Sequence, residues 1–245
     1  MARTGAAAVV IGNEVLTEKV RDENGPHLIQ RLRERGIALK SFTVVLDEID
    51  AIVDAVTRAR SHAQYVFTSG GIGPTHDDVT VRAVSLALGR AVVRLPDMEK
   101  LVREHYGSSL TQEALRLAES PEGGYLIPQE GTWYPVLACD DVFMLPGVPQ
   151  LFRLQLQTVL NRLPGTPMKL VNLYVRLGEP EIAKTIDEVA LAMPDVAIGS
   201  YPHFDHGLDY RVKLTVESVD AQRASDAVDR IVRGLPKDAL VRRDG

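Results

Sequence analysis

The chain has 245 residues, 45% of them hydrophobic and 25% charged, with a net charge of −5. At ~100–200 residues per domain this allows one large domain, or a medium domain with a small companion, and the composition excludes disordered and fibrous classes. The acidic balance leaves no general basic footprint for nucleic acid or an anionic membrane, and the single cysteine, Cys139, excludes an intramolecular disulfide and a Cys-based zinc cage.

Residues Ala6–Ile11 form a continuous apolar run and read as a strand buried on both faces. The run is too short for a signal-peptide core, and no stretch approaches the ~20 apolar residues of a membrane span, so a cytoplasmic protein without a membrane partner is expected. A helix is predicted from Asn24, as N-cap, through Leu28 and Leu32 to a stop at Gly36. Phe42–Leu46 is the second predicted strand, and Ile49, Ile52, Val53 and Val56 have helical spacing. Tyr65–Ser69 is the third strand; Val81, Val84 and Leu88 make a third helix, stopped at Gly89. Such alternation predicts a parallel sheet with right-handed crossovers. Pro96–Ala118 reads as a helical excursion broken at Gly107, with Pro121–Gly124 and Gly131–Pro135 as loops. Asp141–Leu145 resumes the sheet, and Phe152, Leu156, Val159 and Leu160 give one more helix face. Beyond Leu163–Pro167 the rhythm becomes β-α-β-β-α-β, a small α+β module, which divides the chain into residues 1–165 and 166–245.

Open parallel sheets bind ligands outside the carboxyl ends of their strands. Four segments sit there: Gly12-Asn13-Glu14, Asp47-Glu48, Ser69-Gly70-Gly71-Ile72-Gly73-Pro74-Thr75-His76-Asp77-Asp78, and Pro146-Gly147-Val148-Pro149. The glycine segment suits a phosphate, because glycines let backbone N–H groups approach an anion and the next helix presents its positive end. It is neither a Walker loop nor Gly-x-Gly-x-x-Gly; the other reading is a tight turn with Asp78 as N-cap. Asp77 and Asp78 beside a phosphate loop would repel the ligand unless a divalent cation, magnesium or another, intervenes. Asp47 and Glu14, from neighbouring strand ends, complete such a site; alternatively Asp47 caps the next helix and Glu14 is a solvated loop acid. Joint placement favours function. His203, Asp205 and His206 read as a solvated hairpin rather than a metal site, Trp133 and Tyr134 as ring-stacking or anchoring residues, and Cys139 as structural.

These residues carry a resemblance. Gly12-Asn13-Glu14-Val15-Leu16, Asp22-Glu23-Asn24, Val44–Asp47, Thr68–Thr80 and Leu145–Pro149 are similar to the molybdopterin-binding domain family, which includes the molybdopterin adenylyltransferases and competence/damage-inducible protein A. In the tail, Ile198–Pro202 and Tyr210–Leu214 resemble the molybdopterin-binding-like domain attached to some FAD synthases. The resemblance implies a three-layer α/β domain that binds a pterin or an adenine nucleotide across the strand ends. It implies Asp47 and Asp78 in metal-dependent chemistry; the residue pattern places Glu14, Asp77 and Asp78 toward the metal. Ligand and phosphate contacts are implied for Gly12, Asn13, Asn24, Ser69, Gly70, Gly71, Gly73, Thr75, Pro146 and Gly147. Related branches are associated with metal-dependent hydrolysis of pyrophosphate bonds in FAD or ADP-ribose. A non-catalytic pterin or nucleotide binder and an adenylyl transferase of molybdenum cofactor assembly are the alternatives. Gly131-Thr132-Trp133-Tyr134-Pro135 replaces the Gly-Thr-x-Pro-Gly segment usual in competence/damage-inducible protein A. No amidase or FAD-synthesising segment accompanies the motifs, so neither activity is expected, and the small module is assigned to packing in a homo-oligomer.

Overall fold

The computed structural model describes residues 5–205 and 207–245. They form two compact units, 1–165 and 166–245. The first unit is built on β1 (Ala6–Ile11), α1 (Asn13–Leu16), α2 (Asn24–Glu34), β2 (Leu39–Val45), α3 (Ile49–His62), β3 (Tyr65–Ser69), α4 (Thr80–Leu88), β4 (Val92–Arg94) and α5 (Pro96–Tyr106). After two 3₁₀ turns come β5 (Glu119–Pro121), β6 (Tyr125–Ile127), β7 (Val136–Cys139), β8 (Val142–Leu145) and α6 (Pro149–Leu160). The main sheet has the order β2-β1-β3-β8-β7-β6. Its first three pairings are parallel and its last two antiparallel.

The period-2 alternation of strand side chains explains why β1 is apolar throughout. Ala7, Val9 and Ile11 face a core completed by Ile52 and Val56 of α3, Val84 of α4 and Val102 of α5. Ala6 and Ala8 face a second core with Leu28 and Leu32 of α2 and Phe152, Leu156 and Leu160 of α6. The result is a three-layer α/β unit with a mostly parallel sheet, its parallel strands delivering their carboxyl ends to one edge.

Several details differ from the sequence reading. Strand β2 begins at Leu39, because Leu39–Ser41 already pairs with the start of β1 across an irregular register step. Strands β6 and β7 fall where nothing was assigned, each directly after an expected loop. The four-residue β7 is too short to show alternation, and it is set by a two-residue hairpin in which Asp140 (φ 48°) and Asp141 (φ 62°) are both left-handed. Asn24 does not cap α2. It is the first helical residue, and Asp22 Oδ1 accepts from the N–H groups of Asn24 (3.0 Å) and Gly25 (2.9 Å) instead.

The second unit comprises β9 (Lys169–Val175), α7 (Glu179–Ala192), β10 (Ala197–Pro202), β11 (Val212–Ser218), α8 (Ala221–Gly234) and β12 (Leu240–Asp244). Its antiparallel sheet, in the order β10-β11-β9-β12, is the split βαβ arrangement. The core joins Val171, Leu173, Leu214 and Val216 to Ile182, Val228 and Ile231. Asp220 caps α8 by accepting from Gln222 N and Arg223 N. His203 and Asp205 lie between β10 and β11, and His206 lies outside the described residues. Among the described residues no helix is long and apolar enough to cross a membrane.

Phe152 is 0% exposed and Leu154, on the same helix, is 46% exposed. Phe152→Ala is expected to cost about 3–5 kcal/mol by transfer and cavity terms, whereas Leu154→Ala stays within about 0.5 kcal/mol of the parent. Urea unfolding followed by circular dichroism checks both; equal losses would contradict the packing described.

Candidate functional site

The first strand-end segment begins where Gly12 N donates to Val45 O, tying the ends of β1 and β2 together. Asn13 and Asp47 then lock reciprocally: Asn13 N donates to Asp47 Oδ2 at 2.7 Å, and Asp47 N donates to Asn13 Oδ1 at 3.3 Å. Asp47 is thus held by the neighbouring strand end rather than capping α3, which has no side-chain cap.

The segment after β3 turns sharply at Gly70 (φ 104°) and Gly71 (φ 65°). A Cβ on Gly70 would stand 2.2 Å from Ile11 O, and one on Gly71 2.4 Å from Thr80 Oγ1. Glycine is required at both positions by conformation and by space. Thr80, fully buried, closes the loop: its N–H donates to Gly71 O (2.9 Å) and its hydroxyl to Gly70 O (2.8 Å). The N–H groups of Gly71, Ile72 and Gly73 donate to no other described residue, so this turn presents three uncommitted donors.

Asp78 is not the N-cap of α4; that position belongs to Val79. Its Oδ2 accepts from Thr75 N (2.8 Å) and from the Thr75 hydroxyl, pinning the carboxylate inside the loop. Arg116 braces the same loop from outside, donating to the carbonyls of Pro74, Thr75 and Asp78. In both Asp47 and Asp78 the bonds from neighbouring residues fall on Oδ2, which leaves Oδ1 uncommitted.

These pieces line one cleft of about 470 Å³. It brings together Glu14, Asp47, Gly70, Gly71, Gly73, Asp77, Asp78, Pro146 and Gly147 from all four predicted segments. Gly12, Asn13, Asn24, Ser69 and Thr75 stand behind this lining and position it. Asn24 Nδ2 donates to Ser69 Oγ (3.0 Å) and Gly147 O (2.8 Å), stitching α2 to the ends of β3 and β8. Ile72 and Val148 of the predicted segments add an apolar wall with Trp133 and Tyr134, and sequence reasoning missed its remaining members, Tyr106, Leu117 and Leu151. Tyr106 and Leu117 come from the long excursion after β4, whose return to the cleft has no local signal. Cys139 is buried in β7, and burial pushes its thiol up.

Burial pushes the Asp47 carboxyl above the usual carboxylate range, against the opposing Asn13 hydrogen bond, and the charges of Glu14 and Asp77 add to the rise. Like charge is therefore crowded at an acidic rim, and its Asp78 carboxylate lies close against Gly73 of the glycine turn. All the donors at the acidic rim are hard carboxylate oxygens, which suits magnesium, but among the described residues no three His, Cys, Asp or Glu side chains form a ready metal cage. A cation here would take one or two carboxylates and complete its shell with ligand phosphates and water.

Known proteins share this architecture. The profile of a family described as a probable molybdopterin binding domain matches residues 7–168, and that of the FAD synthase middle domain matches residues 167–244. A probable FAD synthase of Caenorhabditis elegans is 31% identical over 262 residues, covering 95% of this chain and 49% of that protein. A CinA-like protein of Desulfosudis oleivorans is 34% identical over 247 residues, covering 95% of this chain and 59% of its own length. The chain thus spans about half to three-fifths of these two relatives. Among solved structures, a CinA protein of unknown function from Thermoplasma acidophilum superimposes with a TM-score of 0.60 at 28% identity, over 64% of this chain and 96% of that one.

Two outcomes follow from this geometry. Asn24→Ala leaves the Gly147 carbonyl and Ser69 hydroxyl short of a partner and should cost about 1–3 kcal/mol in urea unfolding. For Asp47 the folded state resists ionisation more than the unfolded chain does, so the wild type loses stability as pH rises from the ordinary carboxylate range through the raised folded value. Asp47→Asn removes that loss; the variant's urea midpoint relative to wild type should rise between pH 4 and pH 7, and a constant difference would contradict the assignment.

Proposed function

Because the chain belongs to the molybdopterin-binding domain family, with an FAD synthase middle domain following it, we propose that its cleft binds a nucleoside pyrophosphate and hydrolyses the P–O–P bond with a divalent cation. The observation that carries this reading is the pairing, in one cleft, of the uncommitted Gly71–Gly73 amides with the uncommitted oxygens of Asp47 and Asp78. An anion on the amides alone would be repelled by the acids; an anion bridged to them by a cation satisfies both. Asp78, with Asp77 and Glu14 beside it, would hold magnesium, which when bound neutralises charge on the phosphates.

The chain's own groups then do the remaining work. The Gly71–Gly73 amides fix one phosphate, and the uncapped start of α6 at Pro149, following Gly147, adds the positive end of a helix dipole. Asp47 orients water for in-line attack on one phosphorus. The new P–O bond forms, the bridging oxygen leaves with the electron pair of the broken bond, and the products are two phosphate monoesters and a released proton. From ADP-ribose these are AMP and ribose 5-phosphate; from FAD, AMP and FMN.

Incubation with ADP-ribose or FAD and magnesium, followed by chromatography, should give these products. Asp78→Ala should lower turnover on the order of 100-fold or more, the scale of losing one positioned transition-state group. No turnover on either substrate, with binding retained and independent of magnesium, would instead identify a pterin or nucleotide carrier. Turnover undiminished in Asp78→Ala would overturn the assigned site.

A further inference from the structure

Trp133 is the single tryptophan of the chain; half-buried, its indole packs against the core on one side and lines the cleft on the other. The His105 ring stacks on it with centroids 4.0 Å apart and planes 12° apart. Tyr134 and Tyr106 approach at steep angles, with centroids at 5.3 Å and 6.0 Å. An indole held on three sides has its rotamer set before any ligand arrives. Its Nε1–H has no acceptor among the described residues, and the ring is only half-buried. Buried Tyr134 ties this aromatic group to the phosphate cradle, its hydroxyl donating to Ile72 O at 3.5 Å, midway along the three free amides. A flat apolar platform and a set of anion donors therefore sit at a fixed separation in one cavity of the size that holds small ligands.

We propose that Trp133 is a specificity-determining residue that stacks a fused heteroaromatic ring, so that the cleft selects pyrophosphates carrying a purine or flavin base over inorganic pyrophosphate and base-free sugar phosphates. The base lies against the indole face not covered by His105, and the attached phosphates reach the Gly71–Gly73 amides. This rests on the phosphate cradle of the proposed function, but not on hydrolysis taking place.

The lone tryptophan makes its own reporter. With magnesium present, AMP, ADP-ribose and FMN are each titrated against the wild-type protein, with ribose 5-phosphate and inorganic pyrophosphate as base-free controls, and fluorescence is corrected for absorption by the added compound. Saturable quenching by the base-bearing compounds and none by the controls is the expected result; AMP against FMN distinguishes the purine source of the ring from the flavin source. Trp133→Leu should weaken ADP-ribose binding, read by equilibrium dialysis, about 10- to 100-fold, the scale of losing one base–aromatic stack, with inorganic pyrophosphate binding unchanged. Trp133→Phe, which keeps a ring, should recover most of the loss and separates stacking from any folding defect in the Leu variant. Quenching by the base-free controls as strong as that by AMP, or ADP-ribose affinity unchanged in Trp133→Leu, overturns the proposal. Base-dependent quenching without turnover would sink the hydrolytic reading and leave this one standing.

Discussion

The site depends on how closely the chain leaving β3 passes the end of β1. At Gly70 there is no room for a side chain, since a Cβ would lie 2.2 Å from the Ile11 carbonyl oxygen. The backbone turns left-handed there and again at Gly71, and the amides of Gly71, Ile72 and Gly73 are left without an acceptor among the described residues. Thr80 then draws the loop back onto α4 by bonding to the carbonyls of Gly70 and Gly71. With the carbonyls consumed and the amides left over, the turn has the make-up that the proposed phosphate contact requires. The parallel pairing of β1 with β3 serves the same end, because its backbone ladder fixes the spacing of the two strands on which this approach depends.

The acids are placed by a different means. Asp47 is held by a reciprocal pair with Asn13 across adjacent strand ends, and Asp78 is held by Thr75 within its own loop. Among the described residues neither carboxylate forms an ion pair with a cationic side chain; Arg116, which braces the Asp78 loop, donates to backbone carbonyls. Leaving several carboxylates near one another without a protein cation is costly, and the raised Asp47 carboxyl reflects part of that cost. The proposed function assigns the balancing positive charge to a cation that arrives with the ligand.

How much of this was legible in the sequence follows from how local each feature is. The parallel strands and their helices show in apolar runs and 3.6-residue spacing, and the convergence of the four strand-end segments follows from topology. Asn24 was expected to cap α2 because a cap and a stitch from helix to strand ends use the same residue type; Asp22, two residues earlier, accepts from the first helical amides instead. Asp78 was ambiguous in the same way, and only its bond to Thr75 shows that it belongs to the loop rather than to α4. The antiparallel extension β7–β6 and the apolar wall of Tyr106, Leu117 and Leu151 were not legible. They are brought to the sheet by a hairpin of two left-handed aspartates and by a long excursion, neither of which leaves a periodic trace.

The central claim is that one diphosphate touches the amides and the acids at the same time. A crystal of the intact chain grown with a non-hydrolysable methylene analogue of ADP and manganese tests it directly. The account predicts phosphonate oxygens at hydrogen-bond distance from the N–H groups of Gly71–Gly73, with an anomalous manganese peak between those oxygens and the carboxylates of Asp47 or Asp78. Nucleotide bound away from the Gly70–Gly73 turn, or manganese held without contact to either aspartate, would contradict it.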